Sequence, residues 1–405
     1  MKLDFFGTKK KKDKSFLILD IGTEAVKVLF SRKGADGKIT ILGAATQYFE
    51  KYGVFDGKDF ETNVIKKAIS KAIEKAYQNF IFFLAKKKTK KGKQDWKKWP
   101  VLLGLPANIL KGRVVWQFVR RESPKEKISK SEQKYISEQV FKEAKKEISQ
   151  RFSQEFGILP KDIHWITQKV LEVKIDGYPV PGIRGYGGRD LEFKILATFL
   201  PKYYLENIEK ILKDLKLKIL KIVHIAENLP VLWGDKKIDG IFFDVGGEIT
   251  QIFLVKAGSL QQVNEFKAGG KAFSQKLSEV LGVEEDSARN LKERYTNKLL
   301  SAETRGRIKE IFLEEKKIWY EDLKLEINKM TSKALLPSNI FLFGGGSLPP
   351  EIEGIFKETG INGEDLLISN VDEVKFIYPK DFENIEGPIK KLRNPQYSPT
   401  LLLTS

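Results

Sequence analysis

The stretch Phe16-Leu-Ile-Leu-Asp-Ile-Gly-Thr-Glu-Ala-Val-Lys-Val-Leu-Phe30 decides how the rest of the chain is read. Apolar residues on both sides of a glycine-containing turn give the two strands of a hairpin. A third strand is expected over Ile39 to Ala44. A helix is expected over Glu61 to Phe83, where Val64, Ile65, Ala68, Ile69, Ala72, Ile73 and Ala76 recur at three- and four-residue spacing. The same order returns later: a strand over Ile238 to Asp244, the turn Gly246-Gly247, strands over Ile249 to Val255 and Leu260 to Phe266, and a helix over Ala272 to Leu281. A whole supersecondary unit that repeats predicts an internal duplication.

Between the copies, strands are expected over Val101 to Leu105, Ile163 to Val173 and Leu191 to Leu200, with a helix over Ser131 to Phe152. The segment Gly177-Tyr-Pro-Val-Pro-Gly-Ile-Arg-Gly-Tyr-Gly-Gly188 is rich in turn residues and reads as a loop. Residues 99–200 fit a separate subdomain. A helix over Pro201 to Leu215 and a strand over Ile219 to Val223 then lead into the second copy.

At 405 residues the chain is long enough for two to three domains, and 41% hydrophobic with 11% aromatic residues excludes wholesale disorder. The absence of cysteine excludes disulfides, thiolate zinc sites and cysteine nucleophiles, and two histidines, His164 and His224, leave little for a histidine metal centre. Both histidines follow apolar residues and read as structural. The longest apolar run, Phe80 to Ala85, is far short of the ~20 residues that cross a bilayer. Nothing at the N-terminus resembles a signal peptide, so a soluble, cytoplasmic protein is expected. The formal charge of +18 is clustered: residues 1–14 hold six Lys against two Asp, and residues 86–98 hold eight Lys against one Asp. The remaining excess is ordinary, so the folded body is not expected to bind nucleic acid. Trp96 and Trp99 interleave with the second cluster and read as part of a solvated insertion, with base stacking or membrane contact as alternatives.

Three glycine turns carry the chemistry: Asp20-Ile-Gly-Thr23 with Lys27, Asp244-Val-Gly-Gly247 with Thr250, and Gly344-Gly-Gly-Ser347 after a strand. Glycine lets backbone N–H groups approach phosphate, hydroxyls add donors, and a strand-end Asp can hold Mg²⁺ through its waters. Any one turn alone is equally well a hairpin reversal or a helix cap.

Together, in this order, the turns resemble the phosphate 1, phosphate 2 and adenosine motifs of the actin-like ATPase superfamily, and the likeness extends to the bacterial FtsA/PilM family. Ala268-Gly-Gly270 before a helix and Ala288 to Lys292 after it are similar to the family's segment around the second nucleotide-facing subdomain. The resemblance implies a duplicated, ribonuclease H-like two-lobed α/β ATPase fold with an inserted α+β subdomain. Residues 15–98 and 201–236 would form the first lobe, 99–200 the insert, and 237–370 the second lobe. The second lobe's nucleotide-facing subdomain falls at about 272–338, and 371–405 forms a C-terminal segment. It implies ATP and Mg²⁺ as ligands. Asp20 and Asp244 would hold the metal through water, and Gly22, Thr23 and Lys27 would face the terminal phosphates from one lobe. Gly246, Gly247 and Thr250 would approach from the other. Gly269, Gly270, Gly344, Gly345, Gly346, Ser347 and Lys292 would border the nucleoside. Glu248 stands where a third glycine is common, Gln251 where an Asp is frequent and Arg289 where a ribose-binding Glu is usual, so the resemblance implies at most a slow ATPase.

Two roles follow from the resemblance. One is an FtsA-like scaffold that self-associates in filaments or dimers and links division proteins such as FtsZ to the membrane. The other is a PilM-like cytoplasmic adaptor for a pilus inner-membrane protein. A small-molecule kinase of the same superfamily is a third, disfavoured by Gln251. Pro399-Thr-Leu-Leu-Leu-Thr-Ser405 is too short for the membrane helix that ends FtsA-type proteins. The N-terminal tail, with Leu3, Phe5 and Phe6 beside Lys9, Lys10, Lys11 and Lys12, offers instead a weak peripheral contact with an anionic bilayer, or a plain solubilising terminus.

Overall fold

The computed structural model describes residues 14–50, 53–55, 60–86, 95–232, 238–330, 336–358, 371–387 and 392–404. The opening stretch forms β1 (Lys14–Ile21) and β2 (Ala25–Lys33), which continue antiparallel into β3 (Ile39–Tyr48). β4 (Pro100–Gly104) lies parallel to β1 on its other side, and β9 (Lys218–Ile222) lies parallel to β4. The second copy repeats this plan. β10 (Gly240–Val245), β11 (Thr250–Lys256) and β12 (Ser259–Phe266) form the meander, and β13 (Asn339–Phe343) and β14 (Glu373–Phe376) add in parallel. The orders β3-β2-β1-β4-β9 and β12-β11-β10-β13-β14 are the same.

The unbroken apolar runs are explained by burial on both faces. Leu17 and Leu19 pack toward α1 (Thr62–Lys86) and α3 (Lys202–Asp214), while Phe16 and Ile18 point into a layer shared by the two sheets. In the second lobe Ile241 and Phe243 pack against α4 (Gly270–Leu281) and α5 (Ala302–Met330), and Phe242 enters the shared layer. The C-terminal segment divides among these parts. β14 belongs to the second sheet, β15 (Ile385–Glu386) pairs with β3 of the first, and α6 (Ser398–Leu402) buries Leu401 and Leu402 between the sheets.

The insert is an antiparallel sheet of β5 (Lys111–Arg120), β8 (Asp190–Pro201), β6 (Ile163–Ile175) and β7 (Tyr178–Val180), packed against α2 (Lys130–Phe156). Three details differ from the sequence reading. β4 belongs to the first sheet, so the inserted sheet starts at Lys111. The 177–188 loop contains β7, because Asp176 and Gly177 both take positive φ, 49° and 84°, and reverse the chain in a mirror-image turn. α2 starts at Lys130, capped by Ser129, whose hydroxyl accepts the Glu132 N–H at 3.1 Å.

Trp96 and Trp99 are not part of a solvated surface. They close an aromatic cluster with Phe30, Tyr77 and Phe80, Trp96 lying 5.6 Å from Phe30 and Trp99 5.7 Å from Phe80 between ring centroids. His164 is exposed rather than packed in the strand core. The tail residues Leu3, Phe5, Phe6 and Lys9 to Lys12 lie outside the described residues, as do most lysines of the 86–98 cluster. Among the described residues no helix is long and apolar enough to cross a membrane.

Candidate functional site

Asp20 and Asp244 occupy equivalent positions in the two copies. Asp20 lies opposite Lys27 on the antiparallel side of β1 and opposite Gly104 on the parallel side; Asp244 lies opposite Gln251 and Phe343 in the same way. Each ends a central strand where its neighbours change direction, the place where open α/β sheets form ligand crevices. The turns that follow also match: the Gly22 N–H donates to the Ala25 carbonyl at 2.9 Å, and the Gly246 N–H to the Ile249 carbonyl at 3.0 Å.

The third turn is built so closely against the second that only glycine fits. A Cβ on Gly344, whose φ is 86°, would lie 2.4 Å from Asp244 Oδ1, and one on Gly346 would lie 2.3 Å from the Gly246 carbonyl oxygen. Behind them the Gly270 N–H donates to the Gly246 carbonyl at 2.9 Å, and the Lys292 ammonium donates to the Gly270 carbonyl.

These elements enclose a cleft of about 250 Å³. Asp20, Gly22, Thr23, Lys27, Asp244, Gly246, Gly247, Lys292 and the glycines 344, 345 and 346 line it. Four expected residues stand behind the wall. The Thr250 hydroxyl is buried and donates to the Ala268 carbonyl at 2.6 Å, and the buried Ser347 hydroxyl donates to the Gly344 carbonyl at 2.7 Å. Gly269 and Gly270 support the second turn from below. Both hydroxyls satisfy backbone carbonyls that burial would otherwise leave unpaired.

Acidic and basic side chains both line the cleft, and the two aspartates stand at the ends of the central strands. Burial pushes Asp244 up to about 7, with Lys27 opposing and the Asp20 charge adding. Asp20 receives a hydrogen bond from the Thr400 hydroxyl at 2.5 Å and lies 3.5 Å from the Lys27 ammonium. Two carboxylates lining one cleft suit Mg²⁺, which is commonly held by one or two carboxylates plus phosphates, and a cation there would favour the ionised form of Asp244 that burial disfavours. Among the described residues no group of three or more His, Cys, Asp or Glu gathers for a dedicated metal centre. Glu248, whose charge disfavours phosphate, is offset by Lys271 at 2.7 Å.

Glu24, Tyr48 and Glu293 line the cleft without having stood out in the sequence, and Arg289 and His224 join them there. Glu24 lies beside Thr23 and faces the second lobe. The Arg289 guanidinium sits 4.6 Å from the Tyr48 ring centre, and burial, then the charge and hydrogen bond of Glu293, push the Tyr48 phenol far above its ordinary range. His224 is buried and pushed down to about 4 by desolvation, so its ring is neutral at physiological pH. Its Nδ1 accepts the Ala226 N–H at 3.1 Å, which places the ring proton on Nε2, 3.1 Å from the Gln251 amide. The amide oxygen of Gln251 must therefore face that ring. The C-terminal segment closes the floor, with the Asn228 side chain donating to the Leu402 carbonyl at 2.7 Å.

Among solved structures the chain is similar to one in a PilM–PilN type IV pilus biogenesis complex, at 15% identity over 96% of this chain and 97% of that one, with a TM-score of 0.65. The fold is that of the actin-like ATPases. Looser likenesses include the ethanolamine utilization protein EutJ from Carboxydothermus hydrogenoformans, at 12% identity over 97% and 89% of the two chains and a TM-score of 0.47. MreB 5 of Spiroplasma citri bound to AMPPNP matches at 10% identity over 97% and 96%, with a TM-score of 0.40. No protein-family model matches the sequence, and no curated protein is significantly similar to it. The actin-like architecture accounts for the two matching turns on opposite lobes and the third turn beneath them.

Proposed function

We propose that this chain is a nucleotide-binding adaptor of type IV pilus assembly, PilM-like in role, whose interlobe cleft takes a Mg²⁺-bound adenine nucleotide. The nucleotide part rests on one observation: three glycine turns from two lobes meet around Asp20 and Asp244, and at Gly246, Gly344 and Gly346 the backbone spacing admits no side chain. Gly22, Thr23 and Lys27 hold phosphate oxygens from the first lobe, Gly246 and Gly247 from the second, and Gly344 to Gly346 support the nucleoside. Asp20 and Asp244 would hold Mg²⁺, which would supply charge neutralisation for the phosphates. A ligand gripped by both lobes biases the angle between them, so nucleotide state can reach a partner bound elsewhere.

The adaptor part is supported by the likeness, over nearly the whole of both chains, to a chain of the PilM–PilN complex. The partner is then a pilus-assembly protein of the inner membrane. The FtsA-like division scaffold, with polymerisation and FtsZ, stands second because the whole-chain likeness at a TM-score of 0.65 is to a chain of the pilus complex. Affinity capture of the full chain from its native cell tests the choice. Recovery of pilus inner-membrane components supports the adaptor; recovery of FtsZ without them refutes it.

A further inference from the structure

The gap between the two phosphate turns already holds an anion. The Thr23 hydroxyl accepts the Glu248 N–H at 3.1 Å, so the turns touch across the lobes. Beside that bond the Glu24 side chain lies flat on Gly247: a Cβ there would sit 2.6 Å from Glu24 Cγ and 3.0 Å from its carboxyl carbon. Glu24 Oε1 is buried and has no hydrogen-bond partner among the described residues, a costly state for a carboxylate oxygen, and the charge of Glu24 acts on the buried Lys292 ammonium across the cleft. Glu24 also lines the same cleft as Asp20 and Asp244. Glu248, the neighbouring acid, differs in making a direct ion pair, with Lys271 at 2.7 Å.

We propose that Glu24 is an internal stand-in for a terminal phosphate, and that it makes the cleft prefer a nucleoside diphosphate over a nucleoside triphosphate. The proposal rests on the nucleotide reading of the cleft, which assigns the space between the two turns to the outermost phosphate. A diphosphate binds with Glu24 in place. A triphosphate must part Thr23 from Glu248, move the carboxylate off Gly247, and place its own anionic end where like charge stood. Glu24 thereby also holds the lobes together when no triphosphate is present, through contact with the opposite turn.

The test is calorimetric titration of the full chain with Mg-ADP and with Mg-ATP, for the parent, Glu24→Gln and Glu24→Ala, with thermal melting of each to verify folding. The ratio of triphosphate to diphosphate dissociation constants is expected to fall at least tenfold in Glu24→Ala, the size of one relieved like-charge contact. Glu24→Gln, which keeps the volume and loses the charge, should fall part of the way. A ratio unchanged in both variants, with both nucleotides bound, overturns the proposal and leaves the nucleotide reading intact. Binding of neither nucleotide by any of the three removes both.

Discussion

Replacing Asp244 with Asn removes a charge that the fold disfavours and keeps the shape that Gly344 packs against. Burial lifts this carboxyl from 3.8 to about 7. The sign follows from linkage: a folded-state pKa above the unfolded one means that folding opposes ionisation, so the penalty is absent below pH 3.8, grows as pH rises to about 7, and is constant above. Three pH units at 1.36 kcal/mol each set a ceiling of about 4 kcal/mol. Asp244 opens partly onto the cleft, where water screens it, so a gain of about 1–3 kcal/mol for Asp244→Asn at pH 8 is the expected outcome. Urea denaturation of parent and variant at pH 5 and pH 8 measures it. The variant should be the more stable at pH 8, and the difference should shrink at pH 5, where the parent carboxyl is already protonated. The same variant should lose the stabilisation that Mg-nucleotide confers on the parent. A variant less stable than the parent at pH 8, or a difference equal at both pH values, would refute the reasoning.

Other outcomes follow from particular contacts. Burial pushes Glu265 up, but Arg113 and Lys111 overcome it and hold the group at about 2, so its contribution to stability is present above pH 4.5 and lost as pH falls toward 2. Glu265→Gln leaves two cations without their counter-ion between the insert and β12, and should cost about 3–5 kcal/mol in denaturant titration; a loss below about 1 kcal/mol would contradict a buried network. Gly346→Ala places a methyl 2.3 Å from the Gly246 carbonyl and should abolish the nucleotide-induced melting shift; an unchanged shift would mean that the third turn does not border the ligand. Hydrolysis should be slow in a phosphate-release assay, because His224 and Gln251 satisfy each other and neither is poised as a base; many turnovers per second, lost in Asp244→Ala, would revive a kinase-like reading. If the tail anchors the chain, co-sedimentation with anionic vesicles should be salt-sensitive and absent in a chain starting at Ser15; equal binding by both chains would exclude the tail.

The duplication was legible because each copy needs strands buried on both faces and a tight glycine turn, and both needs leave a mark in composition. The strand-end aspartates stood out for the same reason, since a charge closing an apolar run has few structural explanations. Thr250 and Ser347 misled because a hydroxyl beside a glycine turn serves its own backbone as readily as a ligand. Trp96 and Trp99 misled because neighbouring lysines mask a pair of rings that the core claims. Contacts that cross the chain left no local mark: Thr400 reaches Asp20 from 380 residues away, and Tyr48 meets Arg289 and Glu293 only because the two lobes close. Glu24 was visible as an acid next to Thr23, but its position against Gly247 of the other lobe was not.

Calorimetric titration of the full chain with Mg-ADP, set beside Asp20→Ala, tests the cleft most directly. Saturable binding at one site per chain, accompanied by a rise in melting temperature and lost in Asp20→Ala, is the predicted result. Absence of binding heat and of any melting shift, with parent and variant indistinguishable, would contradict the assignment of this cleft to a nucleotide.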